Sequence, residues 1–277
     1  MSKLPVALQL YTVRDAAEKD FFGVLKQVKE MGYDLVEFTA DFFGHSAGDI
    51  RAELDRLGLA AISAHVPIDL LVNDLDRVIA DFGALGCQYI AVPWLDEPRR
   101  PGSDAWPQVV RQIKEVCAGL KKAGFQPLYH NHDFEFVKLE GRYALDLLYE
   151  DVPDLAAEID TCWVKVAGVD PAQYIAQYAS RCPIVHLKDF VMPGLGKPQK
   201  LYALIGEDGK DDGAVEQVEG GFDFRPVGYG VQDIPAILEA SLQAGAKYVV
   251  VEQDRSSQRP SLEAARMSRD YLNTLGY

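Results

Sequence analysis

Histidine and acidic residues are concentrated in residues 129–136, which read Tyr-His-Asn-His-Asp-Phe-Glu-Phe. Residues 126–132 follow a helical pattern that ends at Ala123 and Gly124, and they have the character of a β-strand. Alternate side chains of a strand share one face, so we expect His130 and His132 to point the same way. Imidazole and carboxylate groups bind divalent metal ions and transfer protons, so this stretch is the first candidate for such chemistry.

Three later segments carry similar side chains, and each follows a short apolar run. They read Glu-Ile-Asp at 158–160, His-Leu-Lys-Asp at 186–189 and Glu-Gln-Asp at 252–254. Asp160, His186 and Glu252 each lie at the end of a predicted strand. A set of carboxylate, imidazole and carboxylate suits Mn²⁺, Mg²⁺, Co²⁺ or Zn²⁺, and oxygen ligands favour the first two. We therefore predict one divalent-metal site, with Mn²⁺ as the first expectation.

The order of strand and helix patterns predicts how these strand ends meet. The predicted strands cover residues 6–11, 35–40, 60–66, 89–95, 126–132, 155–159, 183–187 and 248–251. They alternate with helical patterns and are too apolar for a half-exposed sheet, which favours parallel pairing. Eight such units predict an α/β fold, a closed (β/α)8 TIM barrel in which all strand ends open onto one face. A chain of 277 residues is ordinary for this architecture, so we predict a single domain over residues 1–277.

One segment interrupts this alternation. Residues 191–230 lie between the seventh strand and its helix, and they are rich in Gly, Lys and Asp. Loops longer than about 15 residues in compact domains are usually functional or disordered. The position after a strand end predicts a lid over the substrate or an interface arm, and a tolerated surface insertion is the alternative.

The composition narrows the classes of partner. The chain has 28 basic and 42 acidic residues, a formal net charge of −14 at pH 7. This charge repels phosphate backbones and anionic lipid, which argues against nucleic acid and membrane surfaces. The four cysteines are spaced singly, and we find no apolar stretch of membrane-spanning length and no signal-peptide pattern. We expect a cytoplasmic protein that acts on a small molecule, and homo-oligomerisation stays open.

Several motifs together resemble a known family. They are Leu-Tyr-Thr-Val-Arg-Asp at 10–15, the histidine-rich stretch at 129–136, Asp160, Gly-Val-Asp-Pro at 168–171, and His-Leu-Lys-Asp at 186–189. The chain resembles the sugar phosphate isomerase/epimerase family of xylose isomerase-like TIM barrels, from Val6 to the last helix. The resemblance implies a divalent metal held by Glu, Asp, His and Glu from strands five to eight. Asp160, His186 and Glu252 match the last three of these ligands.

The first ligand departs from the family pattern. Relatives carry Glu on strand five, where this chain has His130. Either His130 replaces that glutamate or Glu135 reaches back from just beyond the strand. We predict Glu135 as the fourth metal ligand, beside Asp160, His186 and Glu252, and we predict Glu252 and Glu135 as the pair that moves the proton. With His130 as the ligand, the chemistry would lean toward elimination or one-base transfer, as in relatives that act on keto-sugars and inososes.

Other side chains near the strand ends are predicted to contact the substrate. They are Tyr11, His65, Trp94, His130, His132, Lys188 and Arg255. Lys188 shares a strand face with His186 and is placed to hold a hydroxyl, carbonyl or phosphate oxygen. Arg255 follows Glu252 closely and is placed to bind an anionic group.

Structural roles are the alternatives for several of these residues. Tyr11 and Trp94 could be packing at the barrel mouth. Lys188 and Asp189 could form a solvated charge pair where the long loop begins. Glu158 has the same strand parity as Asp160 and could be the internal partner of a lysine.

The predicted function follows from the metal site and the resemblance. It is a divalent-metal-dependent sugar isomerase or epimerase that abstracts a proton next to a keto-sugar carbonyl through a metal-stabilised enediolate. A keto-glycoside or inosose lyase or dehydratase is the alternative on the same site, and a catalytically inactive sugar-binding barrel is another. An abasic-DNA endonuclease uses the same kind of barrel, but the net charge of −14 weighs against it.

Overall fold

The structure is a computed structural model that describes residues 3–192 and 221–277. Its strands are β1 Val6–Gln9, β2 Leu35–Thr39, β3 Ala60–His65, β4 Tyr89–Val92, β5 Gln126–His130, β6 Lys138–Leu139, β7 Arg142–Tyr143, β8 Ala156–Asp160, β9 Ile184–Leu187, β10 Asp189–Val191, β11 Asp223–Arg225 and β12 Tyr248–Val251. Eight of them close a parallel barrel in the order β1-β12-β9-β8-β5-β4-β3-β2. This arrangement confirms the predicted (β/α)8 barrel, and the fifth barrel strand ends at His130 rather than at residue 132.

Helices surround the barrel. The α-helices are α1 Arg14–Glu30, α2 Ala47–Leu57, α3 Ile68–Asn73, α4 Leu75–Leu85, α5 Trp106–Lys122, α6 Ala144–Asp151, α7 Thr161–Val166, α8 Pro171–Gln177, α9 Ile234–Ala244 and α10 Ser261–Thr274. Helix α2 illustrates how local sequence sets the bounds. The Ser46 hydroxyl accepts a hydrogen bond from the Asp49 N–H at its start, and Gly58 ends it with a φ of 65°. None of the described helices is long and apolar enough to cross a membrane.

The barrel interior contains an apolar layer at the bottom. It is formed by Ala7, Ile62, Ala91, Leu128, Ala156, Ile184 and Val250, which make a cluster of their own apart from the main core. Two residues further along a strand, the side chain returns to the same face. Leu128 is thus followed by His130, Ile184 by His186 and Val250 by Glu252. The strands therefore place a polar layer directly above an apolar one, toward their C-terminal ends. We call the apolar layer the bottom layer and the layer above it the polar layer.

The long segment after the seventh barrel strand is described only at its ends. Strands β10 and β11 pair antiparallel, with Val191 opposite Asp223. Phe190, Phe222 and Phe224 pack with Trp163 in a separate apolar cluster. Residues 193–220, which contain most of the predicted lid or interface arm, lie outside the described residues.

Candidate metal centre

Four side chains from four adjacent barrel strands meet above the bottom layer. Each of His130, Asp160, His186 and Glu252 is buried, and each has a ligand atom within 4.8 Å of the others. His186 Nδ1 lies 3.0 Å from Glu252 Oε2, and His130 Nε2 lies 3.3 Å from Asp160 Oδ2. Three of these side chains are the strand-end residues predicted to share one site, and the structure brings them together.

The orientation of Asp160 comes from the start of helix α7. Its Oδ1 accepts hydrogen bonds from the N–H groups of Cys162 and Trp163, at 2.8 and 3.2 Å, and so caps the helix. Its Oδ2 then faces the cluster. There it lies 3.3 Å from His130 Nε2 and 3.0 Å from the Nζ of Lys188.

These residues fit a divalent metal ion. Their ligand atoms converge within 4.8 Å of one another, close enough to share one ion. Two imidazoles and two carboxylates provide nitrogen and oxygen ligands of the kind that Mn²⁺, Zn²⁺, Co²⁺ and Mg²⁺ accept. The four residues His130, Asp160, His186 and Glu252 would hold the ion.

Lys188 lies inside the cluster rather than at its edge. Its Nζ is 3.0 Å from Asp160 Oδ2, 2.8 Å from Glu252 Oε2 and 2.8 Å from Asp254 Oδ1, and only 1% of the residue is exposed. Burial lowers the pKa of Lys188, but the three carboxylates outweigh it and raise that pKa well above its usual value. The alternative of a solvated pair with Asp189 is wrong, because both residues are buried.

Glu37 and Glu158 belong to the polar layer just inside the barrel. Glu37 Oε2 lies 2.8 Å from His186 Nε2 and accepts a hydrogen bond of 2.8 Å from Gln9. Glu158 Oε2 lies 2.9 Å from His65 Nε2, which is also 3.3 Å from Glu37 Oε2. The partners of Glu158 are thus histidines, and the prediction of an internal lysine partner is wrong.

Sequence reasoning missed Glu37 and Gln9, although strand parity was a usable signal. Leu35 and Glu37 stand two residues apart on β2, just as Ala7 and Gln9 do on β1. The third strand obscures the pattern, because its pairing with β2 shifts register between Val36 and Glu37. That shift brings His65 to the interior.

The charges in the cluster shift several pKa values. Burial would lower the pKa of His130, but the carboxylates of Asp160 and Glu252 raise it to about 9. Burial opposes ionisation of Glu252, yet Lys188, His130 and His186 hold its pKa well below the usual range. Glu158 likewise has a pKa well below the usual range, since His65 and His186 outweigh its burial. These carboxylates are therefore ionised at neutral pH.

A cavity of about 580 Å³ opens beside the cluster. Its lining contains Tyr11, Arg14, Glu18, Thr39, Ala40, Asp41, Phe43, His65, Pro67, Pro93, Trp94, His130, His132, Glu252 and Asp254. Five of the predicted substrate contacts line it, and Lys188 and Arg255 do not. A second cavity of about 590 Å³ is lined by residues such as Glu97 and Val166 and includes none of the four residues that would hold the metal. The first cavity is therefore the one that adjoins the cluster.

Comparison with known proteins identifies the family. A family model for xylose isomerase-like TIM barrels matches residues 25–275. The chain belongs to this family. No curated protein matches it in sequence.

Solved structures share the barrel at low identity. A sugar phosphate isomerase/epimerase from Parabacteroides distasonis is 19% identical, with a TM-score of 0.76 over 100% of this chain and 96% of its own. A probable 3-DHS dehydratase from Bacillus anthracis is 12% identical, with a TM-score of 0.70 over 98% and 99%. A xylose isomerase-like protein from Mycobacterium smegmatis in complex with magnesium is 15% identical, with a TM-score of 0.66 over 99% and 98%. At these identities the likeness concerns the fold.

In this xylose isomerase-like barrel, Glu135 faces away from the four-residue cluster. Its Oε1 accepts a hydrogen bond of 2.7 Å from the Tyr129 hydroxyl, and its Oε2 accepts one of 2.8 Å from the His132 N–H. Burial raises the pKa of Glu135 to about 7, despite these hydrogen bonds. Among the described residues, the structure groups His130, and not Glu135, with Asp160, His186 and Glu252.

His132 lies between aromatic rings at the edge of the cluster. Its ring stacks on Phe134, with centroids 5.5 Å apart, and on Trp163 at 5.1 Å. Its centroid is 5.4 Å from that of His130. Burial, together with the charge of His130, lowers the pKa of His132 well below its usual value. His132 is therefore a neutral imidazole that lines the cavity.

Proposed function

We propose that this barrel is a divalent-metal-dependent enzyme that isomerises or epimerises a keto-sugar by moving a proton at the carbon next to the carbonyl. The observation that carries the proposal is the buried set His130, Asp160, His186 and Glu252, whose ligand atoms converge beside the cavity. The relatives described as a sugar phosphate isomerase/epimerase and as a magnesium complex support it.

His130 takes the fourth metal position in this proposal, because Glu135 is bonded to Tyr129 and His132 instead. A bound divalent ion would act as a Lewis acid on the substrate carbonyl and make the neighbouring C–H more acidic. The two carboxylates suit Mn²⁺ or Mg²⁺, and the two imidazoles suit Zn²⁺ or Co²⁺.

Glu252 is the proposed base. It lines the cavity, and Lys188 and His186 lie 2.8 and 3.0 Å from its Oε2. These contacts keep the carboxylate ionised and fix its orientation, and in this proposal it accepts the proton from the carbon beside the carbonyl. Return of the proton to the opposite face would epimerise the sugar, and return to the adjacent carbon would isomerise it.

A lyase or dehydratase is the second candidate, and one observation favours it. Glu135 does not line the cavity, so the second glutamate of a two-base shuttle does not face the substrate. One base suffices to remove a proton before a β-oxygen leaves. The relative described as a probable dehydratase shares the fold.

The test uses a panel of ketoses, keto-glycosides and inososes in D₂O. Isomerisation or epimerisation would place deuterium on the substrate carbon, and elimination would release a smaller product. Removal of metal by a chelator should abolish turnover, and Glu252→Gln should lower it by roughly 10²- to 10⁴-fold while sugar binding survives. Full activity after chelation would contradict the proposal, and sugar binding without any turnover would indicate an inactive binding barrel.

A further inference from the structure

The lining of the cavity is acidic. Within the described residues it contains four carboxylates, Glu18, Asp41, Glu252 and Asp254, and a single guanidinium, Arg14. Like charges close together in a site of reduced dielectric repel each other by more than they would in water. A phosphate group entering the cavity would meet these carboxylates.

The Arg14 guanidinium is held by the wall of the cavity. Its Nη1 donates to the carbonyl oxygens of Tyr11 and Asp254, at 2.9 and 2.8 Å. The guanidinium also lies over the Tyr11 ring, 3.8 Å from its centroid. These contacts tie together the start of helix α1 and the loop after β12, so the position of Arg14 is set by the protein itself.

The other cationic side chains near the cavity are already paired with carboxylates. Lys188 lies below the cavity lining with its Nζ within 3.0 Å of three carboxylates. His65 and His130 line the cavity, but their Nε2 atoms face Glu158 at 2.9 Å and Asp160 at 3.3 Å. Neither imidazole offers that nitrogen to an added anion.

A buried side chain occupies backbone N–H donors in the segment after the seventh barrel strand. In many TIM barrels, phosphate binds to backbone N–H groups in the loops after the seventh and eighth strands. Here N–H groups of the segment between the seventh barrel strand and helix α9 bind the buried Asp189 carboxylate instead. Its Oδ2 accepts hydrogen bonds from the N–H groups of Gly228 and Gly230, at 3.0 and 2.9 Å, and its Oδ1 accepts one from Gln232 at 3.1 Å. The protein has thus placed its own anion on these donors.

The sequence of the remaining segment has the same sign of charge. Residues 193–220 contain the acidic residues Glu207, Asp208, Asp211, Asp212, Glu216 and Glu219 and the basic residues Lys197, Lys200 and Lys210. By composition, this segment adds net negative charge to the protein.

From these observations we propose that the substrate is an uncharged sugar, and that a sugar phosphate is rejected. The inference rests on the proposed function, since it concerns the substrate of that same site. The cavity lining also offers aromatic rings, Tyr11, Phe43 and Trp94, against which the C–H face of a sugar can pack. The name of the Parabacteroides relative would instead suggest a sugar phosphate, and an experiment can distinguish these two substrate classes.

The experiment compares matched pairs, each a free ketose and its terminal phosphate ester, on the metal-loaded enzyme. We expect the free sugar of each reactive pair to bind or react at least about tenfold better, and we expect added salt to narrow the difference because it screens the repulsion. Glu18→Lys, which replaces an exposed carboxylate of the cavity, should improve the phosphate ester selectively. Lys19→Glu is the control, since it reverses a charge at an exposed neighbour that does not line the cavity and should leave the preference between the two sugars unchanged.

The Asp189 region gives a second, independent measurement. Replacement of Asp189 by Ala should free four backbone donors, the N–H groups of Phe190, Gly228, Gly230 and Gln232, so inorganic phosphate should raise the melting temperature of Asp189→Ala and not that of the wild type. If the variant does not fold, the matched pairs and direct binding of inorganic phosphate to the loaded wild-type enzyme still decide the question.

The outcomes separate the two proposals. Preference for the phosphate ester, equal handling of both members, or saturable binding of inorganic phosphate to the loaded wild type would overturn the inference and leave the proposed chemistry standing. Binding of free sugars without turnover would contradict the proposed chemistry and support the inference.

Discussion

The bottom layer and the polar layer of the barrel are built by the same strands, two residues apart, and they have opposite chemistry. The bottom layer contains only apolar side chains, such as Leu128 and Ile184. The polar layer contains His130 and His186 on those same strands. Burial of apolar surface stabilises a fold directly, whereas buried charge costs free energy unless it is paired. The lower part of the barrel interior therefore supports the fold directly, whereas the upper part needs its charges paired, and our proposal gives it the metal site.

The balance of charge makes this difference concrete. The polar layer and its rim bring five buried carboxylates together, namely Glu37, Glu158, Asp160, Glu252 and Asp254. Among the described residues, Lys188 is the one lysine or arginine within 4.0 Å of any of them. The rest of their negative charge is balanced by histidines and, in our proposal, by a divalent ion. Metal binding should therefore act on the polar layer and leave the bottom layer unchanged.

The largest expected effect comes from Lys188→Met. Loss of the ammonium leaves Asp160, Glu252 and Asp254 without their shared cation, and breaking a buried ion pair typically costs about 3–5 kcal/mol. We expect urea unfolding to show that loss in the metal-free protein, and we expect Mn²⁺ to restore more stability to the variant than to the wild type. Lys247→Met, at an exposed lysine, is the control. Weaker Mn²⁺ binding by Lys188→Met would mean that the lysine and the metal do not compete for the same carboxylates.

Leu128→Ala tests the bottom layer. Truncation of a fully buried leucine should lower the free energy of unfolding by about 2–5 kcal/mol, through lost burial and a residual cavity. Calorimetry should find the Mn²⁺ affinity of the folded variant unchanged. A parallel loss of affinity would show that the two layers are not independent.

The pH dependence of stability tests Glu135. Its pKa is raised from 4.5 to about 7 in the folded protein, so the folded state binds the proton more tightly than the unfolded state. The stability that this proton provides is fully present below pH 4.5 and is lost as the pH rises through 7, by roughly 3 kcal/mol at most. Glu135→Gln should therefore gain stability relative to the wild type between pH 5 and pH 8 in urea titrations. A constant difference over this range would contradict the raised pKa.

Glu37→Gln should have the smallest effect and the most specific one. Glu37 Oε2 contacts His186 Nε2 at 2.8 Å, on the side of the ring opposite to Glu252. Carboxylates behind a histidine ligand typically contribute about 10- to 100-fold to metal affinity. We expect a loss of that size by isothermal titration, and none for the exposed control Glu239→Gln. Unchanged affinity would show that His186 does not need Glu37 to bind metal.

Much of this architecture could be predicted from the sequence. Eight apolar runs alternating with helical patterns were sufficient for the barrel, because each strand and helix is specified by local periodicity. Asp160, His186 and Glu252 were also predictable as neighbours, since the ends of adjacent parallel strands must meet. Their convergence depends only on topology.

The positions of single carboxylates were harder to predict. Glu135 stands three residues after His132, and only the turn at Phe134–Phe136 decides that its oxygens face the Tyr129 hydroxyl and the His132 N–H. Lys188 was predicted from strand parity to hold a substrate oxygen, but its Nζ lies among three carboxylates instead. These outcomes depend on side-chain packing, to which the spacing of residues along the chain is insensitive.

The pairing of Val191 with Asp223 has a practical consequence for engineering. Residues 191 and 223 face each other in the separate β10–β11 strand pair, so any replacement for residues 193–220 has the same short gap to close. Because doubling the length of a flexible loop adds only about 0.6 kcal/mol of closure entropy, this point should accept grafts of widely different length. The activity of a variant with a shortened or exchanged segment would then measure what that segment contributes, because the barrel stays the same.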